Sequence, residues 1–336
     1  MPYGPVMIDL EGKTLSPVEH TLLAHPRVGG VILFSRNYQD IAQLKALITD
    51  VRTAAQQPLL VAVDHEGGRV WRFNEGFTKL LPAKHHGDVY QKDPAEGLKS
   101  ACNAGRIMAT ELLDCGIDFS LAPVLDVEKG ISEVIGDRAF GCDPQAVSEL
   151  AKAFIEGMNA VGMHATGKHF PGHGGCALDS HIAQPVDDRT LEALLADDLI
   201  PFANLSGSLS AIMPAHITYT SVDTVPAGFS RRWLQDILRS QLEFKGAIIS
   251  DCLSMKGAGA LTAMGADFVV RAQLAIDAGC DMVILCQQAR ALVTWFLDNL
   301  GRDGTVESSQ RLSNMAGQFQ NDARKGKKPV LAHAAL

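Results

Sequence analysis

The sequence predicts a single (β/α)8 barrel of the TIM type, and three observations predict it. Eight short apolar runs recur between Val6 and Leu285; each gives way to polar or glycine-containing residues and then to a helix-like stretch; and ionisable side chains follow five of the runs. A doubly wound sheet usually has about six strands, so eight alternations favour the barrel.

The predicted strands, in order, are Val6–Leu10, Val31–Phe34, Leu59–Val63, Ile117–Leu121, Met163–Gly167, Ala211–Met213, Ala247–Ile249 and Met282–Leu285. Between them, apolar positions three and four apart predict helices at Asp40–Ala55, Pro144–Ala160, Arg231–Leu242 and Gly265–Ala278. Asn74–Pro94 and Gly130–Gly141 are expected as long loops, and Val306–Phe319 as a C-terminal helical segment. No Pro/Ser-rich linker, low-complexity tract or internal repeat interrupts the chain, so residues 1–336 are expected to form one catalytic domain with a helical tail. Asp64 and Glu66 follow the third run, Asp126 the fourth, Lys168 and His169 the fifth, His216 the sixth and Asp251 the seventh. In a barrel these positions share the face on which active sites are built.

Composition narrows the partners. With 46% hydrophobic residues the chain has enough apolar side chain for a large core, unlike a disordered protein. A net charge of −8, with no basic run beyond Arg324–Lys328, argues against nucleic acid. The first residues carry no basic leader, and no apolar run approaches the ~18 residues of a membrane span, so a soluble, unexported protein with no membrane partner is expected. Seven cysteines, an odd number without a close CxxC pair, fit a reducing cytoplasm better than a disulfide framework. A monomer acting on a small molecule is expected.

Residues 168–181, KHFPGHGGCALDSH, gather three histidines, a lysine and an aspartate around three glycines. His169, His173 and His181 have a spacing that would suit zinc on a helix, but Pro171 and the glycines forbid a helix there, leaving only a loop to gather them. The glycines match no phosphate-binding pattern. A purely structural turn, with histidines satisfying local hydrogen bonds, is a further alternative. The acid/base reading fits best: Asp179 and His181 flank Ser180, so the carboxylate can orient the imidazole and raise its basicity.

Two further clusters follow. VDHEGGRVWRF places Asp64 at a strand end before a Gly67–Gly68 turn, with Arg69 and Arg72 beyond, which suits hydroxyl recognition or a surface ion-pair cluster. GAIISDCLSM places Asp251 just after an apolar strand, where a carboxylate attacks an anomeric carbon or caps the next helix.

Taken together, KHFPGHG with its following DSH, VDHEGGRV, VIGDRAFG and SDCLSM resemble the family 3 glycoside hydrolases, specifically the single-domain bacterial β-N-acetylglucosaminidases of the NagZ type. The resemblance spans Val63–Met255 and implies a retaining hydrolase acting on terminal, non-reducing N-acetylglucosamine, with no metal and no cofactor. It implies Asp251 as nucleophile, His181 as an unusual acid/base with Asp179 as its partner, and Asp64, Arg72, Arg138, Lys168 and His169 as sugar-binding residues. It also implies a cytoplasmic role in cell-wall recycling, cleaving N-acetylglucosamine from 1,6-anhydro-N-acetylmuramic acid with or without peptide, and through it a link to peptidoglycan synthesis, cell shape and division. Two departures stand out: relatives commonly read SDDLSM and VDQEGGRV, whereas this chain has Cys252 and His65. Rival expectations are a zinc hydrolase using His169, His173 and His181, and a non-catalytic sugar-binding protein.

Overall fold

The computed structural model describes residues 2–132, 134–176, 185–261 and 267–317. Eight parallel strands form one sheet: β1 Val6–Asp9, β2 Val28–Leu33, β3 Leu60–Val63, β4 Phe119–Ser120, β5 Thr166–Phe170, β7 Ala211–Pro214, β9 Ala247–Cys252 and β10 Met282–Leu285. Their order, β4-β3-β2-β1-β10-β9-β7-β5, is that of a (β/α)8 barrel opened between β4 and β5. The segment after β4 closes the ring: the Thr166 amide donates to the Ala122 carbonyl at 2.8 Å, and the Leu125 amide to that of Lys168 at 2.7 Å.

All eight predicted runs become strands, because parallel strands covered on both faces read as continuous apolar sequence. The six residues of β2, for example, are all buried. Boundaries shift at several ends: β2 begins at Val28, before the expected Val31, and the seventh run, expected to end at Ile249 ahead of Asp251, continues as β9 through Asp251 to Cys252. The fifth run was expected to end at Gly167, but β5 continues through Lys168 and His169 to Phe170. Those two side chains therefore leave the strand itself rather than the loop beyond it.

The helices start where the sequence offers caps. Asp40 caps α2 (Ile41–Ala54), whose buried Leu44, Leu47, Ile48 and Val51 make one stripe at helical spacing. Asp93 caps the 21-residue α4 (Pro94–Asp114), and Asp143 caps α5 (Pro144–Ala160), each with proline at the helix start. Shorter helices are α1 (Pro17–Leu23), α3 (Ala83–Tyr90), α6 (Leu191–Leu195), α7 (Ile200–Leu205), α8 (Phe268–Ala278), α9 (Arg290–Asn299) and α10 (Val306–Ser313). The expected loop Asn74–Pro94 thus contains α3, and Gly130–Gly141 contains a 3₁₀ turn at Gly136–Arg138. Arg232–Gln241, expected as an α-helix, is wound as a π-helix, ending with the Leu242 amide bonded five residues back to Ile237. A separate two-stranded parallel sheet pairs β6 (Val186–Asp187), from the segment after β5, with β8 (Thr218–Tyr219), from the segment after β7. Among the described residues no helix is long and apolar enough to cross a membrane.

Candidate active site

Because the strands are parallel, their C-terminal ends share one face, and the ionisable groups converge there. Asp64 and Glu66 follow β3. The chain then doubles back so that the Glu66 amide bonds the Val70 carbonyl at 2.9 Å, through Gly67 at φ +111° and Gly68 at φ +55°. A Cβ at Gly67 would lie 2.6 Å from the Leu81 carbonyl oxygen, so this turn requires glycine twice over.

Lys168 reaches across from β5. It is 2% exposed, and its Nζ lies 2.7 Å from Asp64 Oδ1 and 2.6 Å from Glu66 Oε1. Arg138, on the 3₁₀ turn, grips Glu66 with two bonds, Nε to Oε2 at 2.8 Å and Nη2 to Oε1 at 2.7 Å. Arg72 Nη2 stands 3.8 Å from Asp64 Oδ2, at the half-buried end of the network. Four of the five expected sugar-binding residues are therefore one connected array, and the pin at its centre is Glu66. Burial pushes the Glu66 carboxyl up, but Arg138 and Lys168 outweigh burial and hold it well below its ordinary range. Burial likewise pulls the Lys168 ammonium down, while Asp64 and Glu66 more than restore it, leaving it above its ordinary value. Both stay charged because they face each other.

The fifth, His169, belongs to a second array. Its Nδ1 lies 2.7 Å from Asp126 Oδ2, while Asp126 Oδ1 accepts the amides of His169 at 3.2 Å and His173 at 2.7 Å. Asp126 is wholly buried; burial raises its carboxyl, but His169 and His173 outweigh that and leave it below the ordinary value. His169 Nδ1 is thereby committed to Asp126, which holds the ring in one orientation. The His173 ring stands edge-on to His169, centroids 5.9 Å apart, and burial holds its pKa down.

Asp251 is the penultimate residue of β9 and half-buried. Its Oδ1 accepts the Cys252 amide at 2.7 Å. His216, beyond β7, is buried and stacked on Phe229 with centroids 5.2 Å apart; burial lowers its pKa against the pull of the nearby Asp251 charge. Asp179 and His181, the expected acid/base pair, lie outside the described residues, and His181 is also the third histidine of the zinc alternative. The flanking chain is well tied: the Tyr219 hydroxyl donates to the Gly172 carbonyl at 2.6 Å, and Arg189 pairs with Asp187 and Asp198. Among the described residues no three His, Cys, Asp or Glu side chains are gathered as a metal ion requires.

Glu66 and Asp126 were not singled out as site residues by sequence. Glu66 stands three residues beyond the end of β3 and Asp126 six beyond the end of β4, so their position after a strand was the available signal; what they do depends on partners from other strands. Chemically the face offers a carboxylate and several fixed donors suited to sugar hydroxyls, with a second carboxylate on β9.

Residues 7–314 match the glycosyl hydrolase family 3 N-terminal domain. The chain is 49% identical, over 94% of its length and 92% of the relative's, to a beta-hexosaminidase of Tolumonas auensis. It superposes on NagZ from Neisseria gonorrhoeae in complex with N-trifluoroacetyl-D-glucosamine with a TM-score of 0.89 at 42% identity, covering 97% of this chain and 94% of that one. The same N. gonorrhoeae protein in complex with zinc ion superposes with a TM-score of 0.88 at 41% identity, covering 97% and 94%. The (β/α)8 frame, the polar face and these likenesses agree, and the chain belongs to glycosyl hydrolase family 3 and is a glycoside hydrolase.

Proposed function

We propose that the chain is a retaining β-N-acetylglucosaminidase that removes terminal, non-reducing N-acetylglucosamine from peptidoglycan fragments, as a single catalytic domain acting as a monomer in the cytoplasm. The observation that carries this is the array Asp64–Lys168–Glu66–Arg138, with Arg72 at its edge, on the same barrel face as Asp251. Asp64 accepts from sugar hydroxyls, Arg72 and the remaining Lys168 proton donate to them, and the other ring nitrogen of His169, whose Nδ1–H is given to Asp126, accepts from one. An N-acylated glucosamine occupies a relative that is 42% identical, which supports an N-acetyl sugar here.

In this reading the Asp251 carboxylate attacks the anomeric carbon as His181, oriented by Asp179, protonates the departing oxygen. The glycosyl-aspartate is then hydrolysed by a water that His181 deprotonates. An imidazole suits this task, since it titrates near neutrality without a special environment. The product pair is N-acetylglucosamine and 1,6-anhydro-N-acetylmuramic acid, with or without its peptide, which places the reaction in cell-wall recycling.

Trapping with a 5-fluoro N-acetylglucosaminyl donor tests mechanism and residue together. Mass spectrometry should find the label on Asp251, and Asp251→Asn should lose turnover by about 10⁴ or more while keeping its fold. A label on another residue, or a variant retaining a tenth of the activity, would overturn the assignment.

A further inference from the structure

The residue after Asp251 is a cysteine, and it lies against a second thiol. Cys252 ends β9, and the neighbouring β10 pairs with it in register through Ile284, so Cys286 emerges beside it two residues later. The two Sγ atoms are 2.7 Å apart, although the residues are 34 apart in sequence. Cys252 Sγ also lies 3.0 Å from the Ser254 hydroxyl. Cys252 is half-buried at the barrel mouth, whereas Cys286 is 4% exposed. None of the seven cysteines is in a disulfide, and Cys142 is the exposed one.

We propose that Cys252 and Cys286 form a reversible intramolecular disulfide, made by a peroxide and undone by a dithiol, which takes the barrel mouth beside Asp251 out of action. The environment favours Cys252 as the first to react. Hydrogen bonding from the Cys286 thiol outweighs burial and, with Ser254, holds the Cys252 thiol below its ordinary range, while the same bond keeps the proton on Cys286. The Cys252 thiolate attacks a peroxide oxygen; the O–O bond breaks, giving a sulfenic acid and a hydroxide that takes up the thiol's proton. Cys286 then attacks the sulfenic sulfur, the S–O bond breaks, and a second water leaves with the Cys286 proton. Two thiols have given two electrons and peroxide has become two waters. A dithiol reverses the bond by two exchanges and is itself oxidised to a disulfide. Transient disulfides of this kind are the sort found in reducing compartments.

The consequence for turnover rests on Asp251 being the nucleophile. The Cys252 amide donates to Asp251 Oδ1, so tying the ends of β9 and β10 through Cys252 displaces the carboxylate's own donor. Misplacement of a reacting group by about 1 Å can cost 10²-fold, so a loss of at least tenfold is expected.

The test exposes the reduced protein to stoichiometric hydrogen peroxide, alkylates it and maps the peptides without reduction, with turnover of a chromogenic N-acetylglucosaminide followed in parallel. Wild type should yield the Cys252–Cys286 linked peptide, lose turnover at least tenfold and recover with dithiothreitol. Cys286→Ser should match wild type when reduced, form no such link and keep its turnover after peroxide. Absence of the link in wild type, full turnover by linked protein, or a reversible loss in Cys286→Ser equal to that of wild type would each overturn the proposal. Reduced wild type that fails to cleave the glycoside and fails to label at Asp251 would instead strike the proposed function, since the link is read by mass alone.

Discussion

Lys168 is the residue on which the charges of the sugar-facing array balance. A buried ammonium between Asp64 and Glu66 lets two carboxylates stand side by side, and Arg138 completes the neutralisation from the other side of Glu66. Such an arrangement makes stability depend on pH with a definite sign. The folded Glu66 carboxyl is held well below its ordinary value of 4.5, so its contribution is complete above that value and is lost as pH falls beneath it. Between pH about 5 and 3, wild type should therefore lose melting temperature more steeply than Glu66→Gln, although the variant starts about 3 kcal/mol less stable at neutral pH. Parallel slopes in scanning calorimetry would show that Glu66 does not carry this linkage. His181 is tested through its substrate. With a sugar leaving group, His181→Ala should slow glycosylation by roughly 10²–10⁴, whereas a dinitrophenyl glycoside needs no proton and should be nearly spared at that step, leaving a slow second step open to rescue by azide. Asp179→Asn should show the same pattern more weakly. Equal losses on both substrates would remove the histidine from the acid/base role.

At the scale of elements, the turn after β3 shows how local geometry serves the array. Asp64 and Glu66 are aimed by a doubling-back that only glycine at position 67 allows, because φ is +111° and the Leu81 carbonyl occupies the space of a side chain. Gly130 offers a control: its φ is +74° but nothing lies within 4 Å of its missing Cβ. Gly67→Ala should cost more than the ~1–2 kcal/mol of an ordinary positive-φ alanine and should lower kcat/KM as Asp64 shifts, while Gly130→Ala should cost about that amount and leave kcat/KM alone. Urea melts and steady-state kinetics on the pair check this, and equal behaviour of the two would refute it. The same contrast explains what the sequence made legible. Strands buried on both faces leave unbroken apolar runs, so all eight were visible. β5 was misplaced at its end because Lys168 and His169 interrupt the apolar signal, their charge being answered by Asp64, Glu66 and Asp126 from other strands. The helix α3 hid in an expected loop because only His86 and Gly87 of it are buried, giving no apolar stripe to read. Arg72, Arg138, Lys168 and Asp64 were named from motifs, but Glu66 and Asp126 declare themselves only once their partners are brought to them.

For the whole molecule, the question is whether the polar face needs a metal ion, and the answer follows from how its ligands are already committed. Asp126 spends both oxygens on His169 Nδ1 and on two backbone amides, and Glu66 spends both on Arg138 and Lys168. A cation gathered by His169 and His173 would find the neighbouring carboxylates engaged, and drawing one away would leave a buried group without its partner, at a cost of about 1–3 kcal/mol or more for a charged one. A zinc complex of a relative makes the point worth testing directly. The proposed chemistry assigns the attack to Asp251 and proton transfer to His181, so no step asks for a Lewis acid. Hydrolysis of a chromogenic N-acetylglucosaminide should therefore continue at its original rate after exhaustive dialysis against EDTA and after phenanthroline. Loss of activity that returns on adding zinc would mean that His169, His173 and His181 serve a metal, and would replace the acid/base assignment with the zinc-dependent one.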